Sequence, residues 1–217
     1  VDVVAYGLSG KGKWLWYHTS HKQPKEGASY GLFVEPLAGG EPLQLLDGIA
    51  HVGNVTFARD EQVLAFTSDK EEFAADQPAN DLYLWEGGDG PARRIAHAGA
   101  PGMPAGKRVA GSLSFSRDGS TLSFDVHDAP AKEPLPILPE DKVALDLWNW
   151  RDGQLQTQQQ KQGAGERNPS WTATWRRAER KLAVLGDDGL RSLRFLGASG
   201  ERLLGSGERI WSHALGM

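Results

Sequence analysis

The 217-residue chain carries 24 Lys and Arg against 28 Asp and Glu, a formal charge of −4; with no basic stripe to neutralise phosphates, this argues against nucleic-acid binding. It has no cysteine, which excludes disulfides and thiol chemistry and leaves the compartment open. With 27 Gly, 12 Pro, 8 Trp and 39% hydrophobic residues, and no apolar run near the length of a membrane span, it reads as a soluble, turn-rich, all-β chain.

In chain order, a first unit over residues 1–50 opens with the hairpin pattern YGLSGKGKWLWY from Tyr6 to Tyr17. The pattern returns in the second unit, residues 51–108, as VTFARDEQVLAF from Val55. It returns in the third, residues 109–168, as LSFSRDGSTLSF from Leu113, and in the fourth, residues 169–217, as ATWRRAERKLAV from Ala173. Phe57, Phe115 and Trp175 correspond, as do Leu64, Leu122 and Leu182. Each copy is an alternating run, a tight turn and a second alternating run, which is a β-hairpin whose turn needs Asp or Gly. A second strand pair follows each later hairpin: Asp81–Trp85 with Ala92–Ile95, Asp146–Trp150 with Leu155–Thr157, and Gly189–Phe195 with Arg202–Leu204.

Repetition at about 60 residues means one supersecondary unit used several times, none able to bury its apolar face alone. Four short antiparallel strands per unit, with no helical period between them, predict a β-propeller of four-stranded blades. About four blades are expected, as part of a larger propeller. The corresponding Phe, Trp and Leu positions are expected to be buried on equivalent strands of successive blades. The chain begins in mid-pattern with VDVVAYG and closes on Glu208–Met217, which reads as the start of something further. The expectation is the N-terminal part of a longer protein, with any targeting segment outside these residues.

The turn Phe-Ser-Arg-Asp-Gly-x-x-Leu-x-Phe, Phe115 to Phe124, resembles the repeat of Tol-type and prolyl-oligopeptidase-type propellers. Arg117 stands where Pro is usual, and Glu61 and Glu179 replace Gly in two other copies. The segments Thr67–Asp76 and Val143–Gln160 are similar to propeller segments of bacterial prolyl-oligopeptidase-family serine peptidases. That resemblance implies a propeller capping an α/β-hydrolase domain of the same parent chain and filtering peptide substrates. It also implies a periplasmic or secreted location, with a cytoplasmic one as the alternative. The rival function is a stand-alone Tol-like or WD-like scaffold that binds proteins.

The hydrolase itself is not read in this chain. A nucleophile elbow needs Gly-x-Ser-x-Gly between strand and helix; Ser9 and Ser199 sit in Gly-x-Ser-Gly sequences that lack the last Gly and read as turns. No catalytic residue, metal site or cofactor is expected. His18-Thr-Ser-His21 lacks a third ligand nearby, and Asp187-Asp188-Gly189 reads as a turn.

Two segments break the repeat at matching positions, Ser68–Asn80 and the four-proline stretch His127–Asp141. Insertions at one position of successive repeats lie on one face, often the binding face. The first carries Glu71 and Glu72. The resemblance implies a substrate-binding role for this pair, gripping the ammonium of a peptide's free amino terminus. Paired carboxylates suit an ammonium, because charge-assisted hydrogen bonds are the strong kind.

Overall fold

The structure, a computed structural model, describes residues 2–21, 26–129, 169–186, 190 and 192–206. It contains three four-stranded antiparallel sheets and one two-stranded sheet. The first sheet runs β1 (Asp2–Leu8), β2 (Trp14–Ser20), β3 (Gly31–Pro36), β4 (Leu43–Asp47) in sequence order. The second repeats that order with β5 (Val52–Phe57), β6 (Leu64–Ser68), β7 (Asp81–Trp85) and β8 (Arg93–Ala96). The third joins β9 (Lys107–Phe115), β10 (Thr121–Asp128), β11 (Ser170–Arg176) and β12 (Lys181–Val184). β13 (Ser192–Leu196) and β14 (Arg202–Ser206) form the last hairpin. A 3-10 turn at Lys70–Glu72 is the one helical element among the described residues. The architecture is that of propeller blades, and no sheet closes on itself among the described residues.

Strand alternation explains the stacking. On the second sheet, Leu64, Phe66, Tyr83 and Trp85 enter one core with Leu32, Val34, Leu45 and Leu46 of the first sheet. The intervening residues Ala65, Leu82 and Leu84 enter a second core with Leu122, Phe124, Val126, Trp171 and Trp175 of the third. The second sheet is therefore apolar on both faces, as a sheet between two others must be.

Of the six matched positions, Leu64, Leu122, Trp175 and Leu182 are buried, while Phe57 and Phe115 are half-buried at the cluster margins. The expectation of equivalent strands fails for the last copy. The hairpin from Ala173 to Val184 does not open a new blade. β11 pairs with β10, setting Trp175 opposite Leu122 and Ala173 opposite Phe124. The reason is that an alternating hairpin pattern specifies a strand pair but not which pair of the blade it becomes. The segments Asp146–Trp150 and Leu155–Thr157 lie outside the described residues.

Turns at one end of the strands tie neighbouring sheets together. Glu61, in the β5–β6 turn, is buried and lies at φ 59°. The matching Gly119 lies at φ 72°, so both turns need the left-handed conformation that costs little only for Gly. Glu61 reaches into the β1–β2 turn. Its carboxylate accepts from Ser9 Oγ at 2.8 Å, from the Lys13 N–H at 3.3 Å and from the Lys11 N–H. Its carbonyl accepts from Trp14 Nε1 at 3.0 Å. Enclosure pushes this carboxyl up, but the donors from Lys11, Ser9 and Lys13 outweigh it and hold it below its ordinary value.

Candidate functional site

The opposite end gathers the irregular connections. The links from second to third strand, leaving Ser20, Ser68 and Asp128, emerge there together with the crossovers from Asp47 to Val52 and from Ala96 to Lys107. Both repeat-breaking segments therefore leave from the same end. The four-proline stretch lies outside the described residues beyond Ala129.

The Ser68–Asn80 connection is anchored on both sides. Asp69 is buried, and its carboxylate accepts from the His51 N–H and pairs with His51 Nδ1, each at 2.7 Å. Lys70 Nζ pairs with Asp47 at the end of the first sheet. Phe73 lies 5.2 Å from the His51 ring. On the far side Arg108 of β9 donates to the Gln77 carbonyl at 3.3 Å, and Asn80 bridges to Val109. The connection thus spans from the first sheet to the third.

Glu71 and Glu72 are exposed in the 3-10 turn, but their surroundings differ. Glu72 Oε2 accepts the Ala79 N–H at 3.1 Å and lies 3.9 Å from Arg108. Glu71 faces Asp81 and Tyr83. Burial pushes Asp81 up to about 6, against the Arg94 guanidinium at 2.7 Å, with Glu71 adding to the rise. Burial, then the Asp81 and Glu71 carboxylates, raise Tyr83 as well. The Asp81 carboxylate beside Glu71 is thus already answered by a cation, the Arg94 guanidinium.

A cavity of about 480 Å3 opens nearby, lined by Asp2, Val4, His18, Ser20, His21 and His51. His18 is buried, and its Nε2 has no hydrogen-bond partner. Burial is the main cause holding its imidazole below the ordinary histidine value. His21 Nε2 lies 3.5 Å from Asp2. The two ends of the His18-Thr-Ser-His21 motif thus share one cavity, yet no group of three His, Asp or Glu is placed to hold a metal among the described residues. His51 and Asp69 were not singled out in the sequence; His51 stands alone before a strand, and no local pattern marks it.

The two serines considered above are turn residues. Ser9 Oγ donates to Glu61, and the Ser199 carbonyl accepts from Ser120 Oγ and Thr121 Oγ1. Asp187, Asp188 and Gly189 lie outside the described residues. No helix among the described residues is long and apolar enough to cross a membrane.

No protein-family model and no curated protein matches the chain. Solved structures do. The chain is similar to dipeptidyl peptidase 4 of Porphyromonas gingivalis, with 12% identity and a TM-score of 0.52, over 94% of this chain and 29% of that one. It is also similar to TolB of Acinetobacter baumannii, with 11% identity and a TM-score of 0.42, over 94% of this chain and 37% of that one. A third likeness is to the tricorn protease, with 11% identity and a TM-score of 0.41, over 95% of this chain and 20% of that one. At such identities the likeness is one of fold. The chain spans well under half the length of each of these proteins.

Proposed function

We propose that this chain is a propeller portion of a prolyl-oligopeptidase-like serine peptidase, gating peptides for an α/β-hydrolase domain carried elsewhere in the same polypeptide. The observation that carries the reading is the anchored Ser68–Asn80 connection, which presents exposed Glu71 and Glu72 at the end where the repeat-breaking segments gather. The fold likeness to a peptidase supports it. In this reading Glu71 binds the ammonium of a peptide's free amino terminus, from the exposed 3-10 turn beside Asp81. Glu72 holds the loop through Ala79 and contributes its second oxygen. A periplasmic or secreted location belongs to the same reading.

The test uses the full-length enzyme. Glu71→Gln is expected to raise KM about tenfold, roughly 1.4 kcal/mol, for peptides with a free amino terminus. Peptides with a blocked terminus should be unaffected. Equal effects on both substrates, or none on either, reject the role of the pair. Absence of any peptidase activity in the full-length protein rejects the wider reading.

A further inference from the structure

The connection that carries Glu71 and Glu72 is held toward the first sheet through one crossover. Asp69 takes the His51 N–H and meets His51 Nδ1, each at 2.7 Å, and Phe73 lies 5.2 Å from the same ring. The residue before His51, Ala50, is buried. Its backbone bonds the ring of His18 on β2, in a way that favours the protonated ring. The Ala50 carbonyl is therefore the acceptor and a ring N–H the donor. His18, Ala50, His51 and Asp69 thus make an unbroken series of contacts from β2 to the connection.

A neutral imidazole has one N–H and one lone pair. With the N–H given to Ala50, the Nε2 of His18 is enclosed and without a hydrogen-bond partner. An enclosed lone pair is tolerated, whereas an enclosed, positively charged N–H without an acceptor is far costlier. The neighbouring elements offer no free counter-charge among the described residues. Beside His18, β1 sets Ala5 and β3 sets Leu32. Across the cavity, Asp2 of β1 already faces His21 at 3.5 Å. Asp69 of the connection is engaged by His51, and Lys70 is paired with Asp47. We propose that His18 is an acid-sensitive clasp: its neutral ring locks the Ala50–His51 crossover that holds Asp69, and protonation of the ring frees the Ser68–Asn80 connection from the first sheet. The cavity of about 480 Å3 that His18 shares with Asp2, Ser20 and His21 gives the charged ring a place to go. Turning into it, the ring meets water and the Asp2 carboxylate and gives up Ala50. The inference rests on His18, Ala50, His51 and Asp69 alone and does not depend on the peptidase reading.

The direction with pH follows from the closed and open rings. Open, the ring has the ordinary value of 6.5; closed, burial is the largest cause holding it lower, with His51 adding to the fall and Ala50 and Asp69 opposing it. Opening therefore takes up a proton once pH falls below 6.5, and ceases to do so below the closed value. Amide hydrogen exchange between pH 8 and 4, corrected for the intrinsic pH dependence of exchange, reads the opening. The reporters are the His51 and Glu72 amides, both bonded to Asp69; the controls are the amides of Phe124 and Ala173 in the third sheet. In the 217-residue chain, opening at the reporters should rise by up to about tenfold per pH unit below the open value, one proton being taken up per opening. The controls should not follow. His18→Gln takes up no proton there and should give a flat profile. If that variant fails to fold by circular dichroism, NMR of the wild-type His18 ring replaces it: the rise must level off at the pH where that ring titrates. A flat wild-type profile overturns the proposal. So does a rise that persists in His18→Gln, one shared by the third-sheet amides, or one that levels off away from the His18 titration.

Discussion

Glu61 offers a test whose sign separates two accounts of the same turn. At φ 59° a non-Gly residue costs about 1–2 kcal/mol. If the Glu61 side chain did nothing, Glu61→Gly would relieve that cost and stabilise the chain. The structure gives the carboxylate three donors across the sheet boundary, from Ser9, Lys11 and Lys13. Hydrogen bonds to a charged group contribute about 1.5–3 kcal/mol when removed. Glu61→Ala keeps the backbone cost and loses the bonds, so it should destabilise by about 2–4 kcal/mol. Glu61→Gly recovers part of this and should destabilise by about 1–2 kcal/mol. For a chain of this size these translate to melting shifts of about 2–4 °C per kcal/mol. The pH dependence follows from the depressed carboxyl. Its contribution is fully present above the ordinary value of 4.5 and is lost as pH falls through the lower folded value. Thermal melts of the wild type, Ala, Gly and Gln forms between pH 3 and 7 measure both effects. A Gly form more stable than wild type, or a Gln form with the wild-type acid profile, would refute the latch.

Two further predictions concern single positions. Gly31 lies at φ 136°, and a Cβ there would fall 1.8 Å from the Leu46 carbonyl oxygen. Gly31→Ala should therefore cost more than about 4 kcal/mol or prevent folding, while Gly12→Ala, at φ 72° with nothing within 4 Å, should cost only about 1 kcal/mol; similar urea midpoints for the two would contradict the close approach. Asp81, raised to about 6 from an ordinary 3.8, keeps its proton in the folded state after the unfolded chain has lost its own, so folding weakens as pH rises through that window. Asp81→Asn should remove roughly 1–3 kcal/mol of that slope, and an unchanged slope between pH 4 and 6 in urea titrations would show that the buried carboxyl is already ionised.

The strands were legible where burial imposes alternation. Leu64, Phe66, Leu122 and Phe124 have to enter the cores between sheets, and the sequence spaces them as such. The assignment of the last hairpin was not legible. Ala173–Val184 has the same alternation as the earlier copies, yet β11 lies against β10 because Trp175 and Ala173 complete the face that Leu122 and Phe124 present to the second sheet. That choice is made by packing across the sheet interface. Nothing within the hairpin encodes it.

The two ends of the stack differ for the same reason. At the turn end, the backbone demands are local even though the Glu61 side chain reaches Ser9 in the first sheet: Glu61 and Gly119 supply a positive φ, and Asp118 accepts from Ser116 and Ser120 within four residues. Local demands leave residue types at fixed offsets, so these turns can be read from the chain. At the loop end, the contacts join residues distant in sequence: His51 with Asp69, Lys70 with Asp47, Arg108 with Gln77. No offset rule binds such partners. The resemblance drew attention to Glu71 and Glu72, and the structure then divided them, giving Glu72 to Ala79 and Arg108 and leaving Glu71 beside the buried Asp81. Only the stacking of the sheets brings His18, His21 and His51 around one cavity. The geometry of this end is therefore set by how the blades pack, and substitutions between the first and second sheets should alter it from a distance.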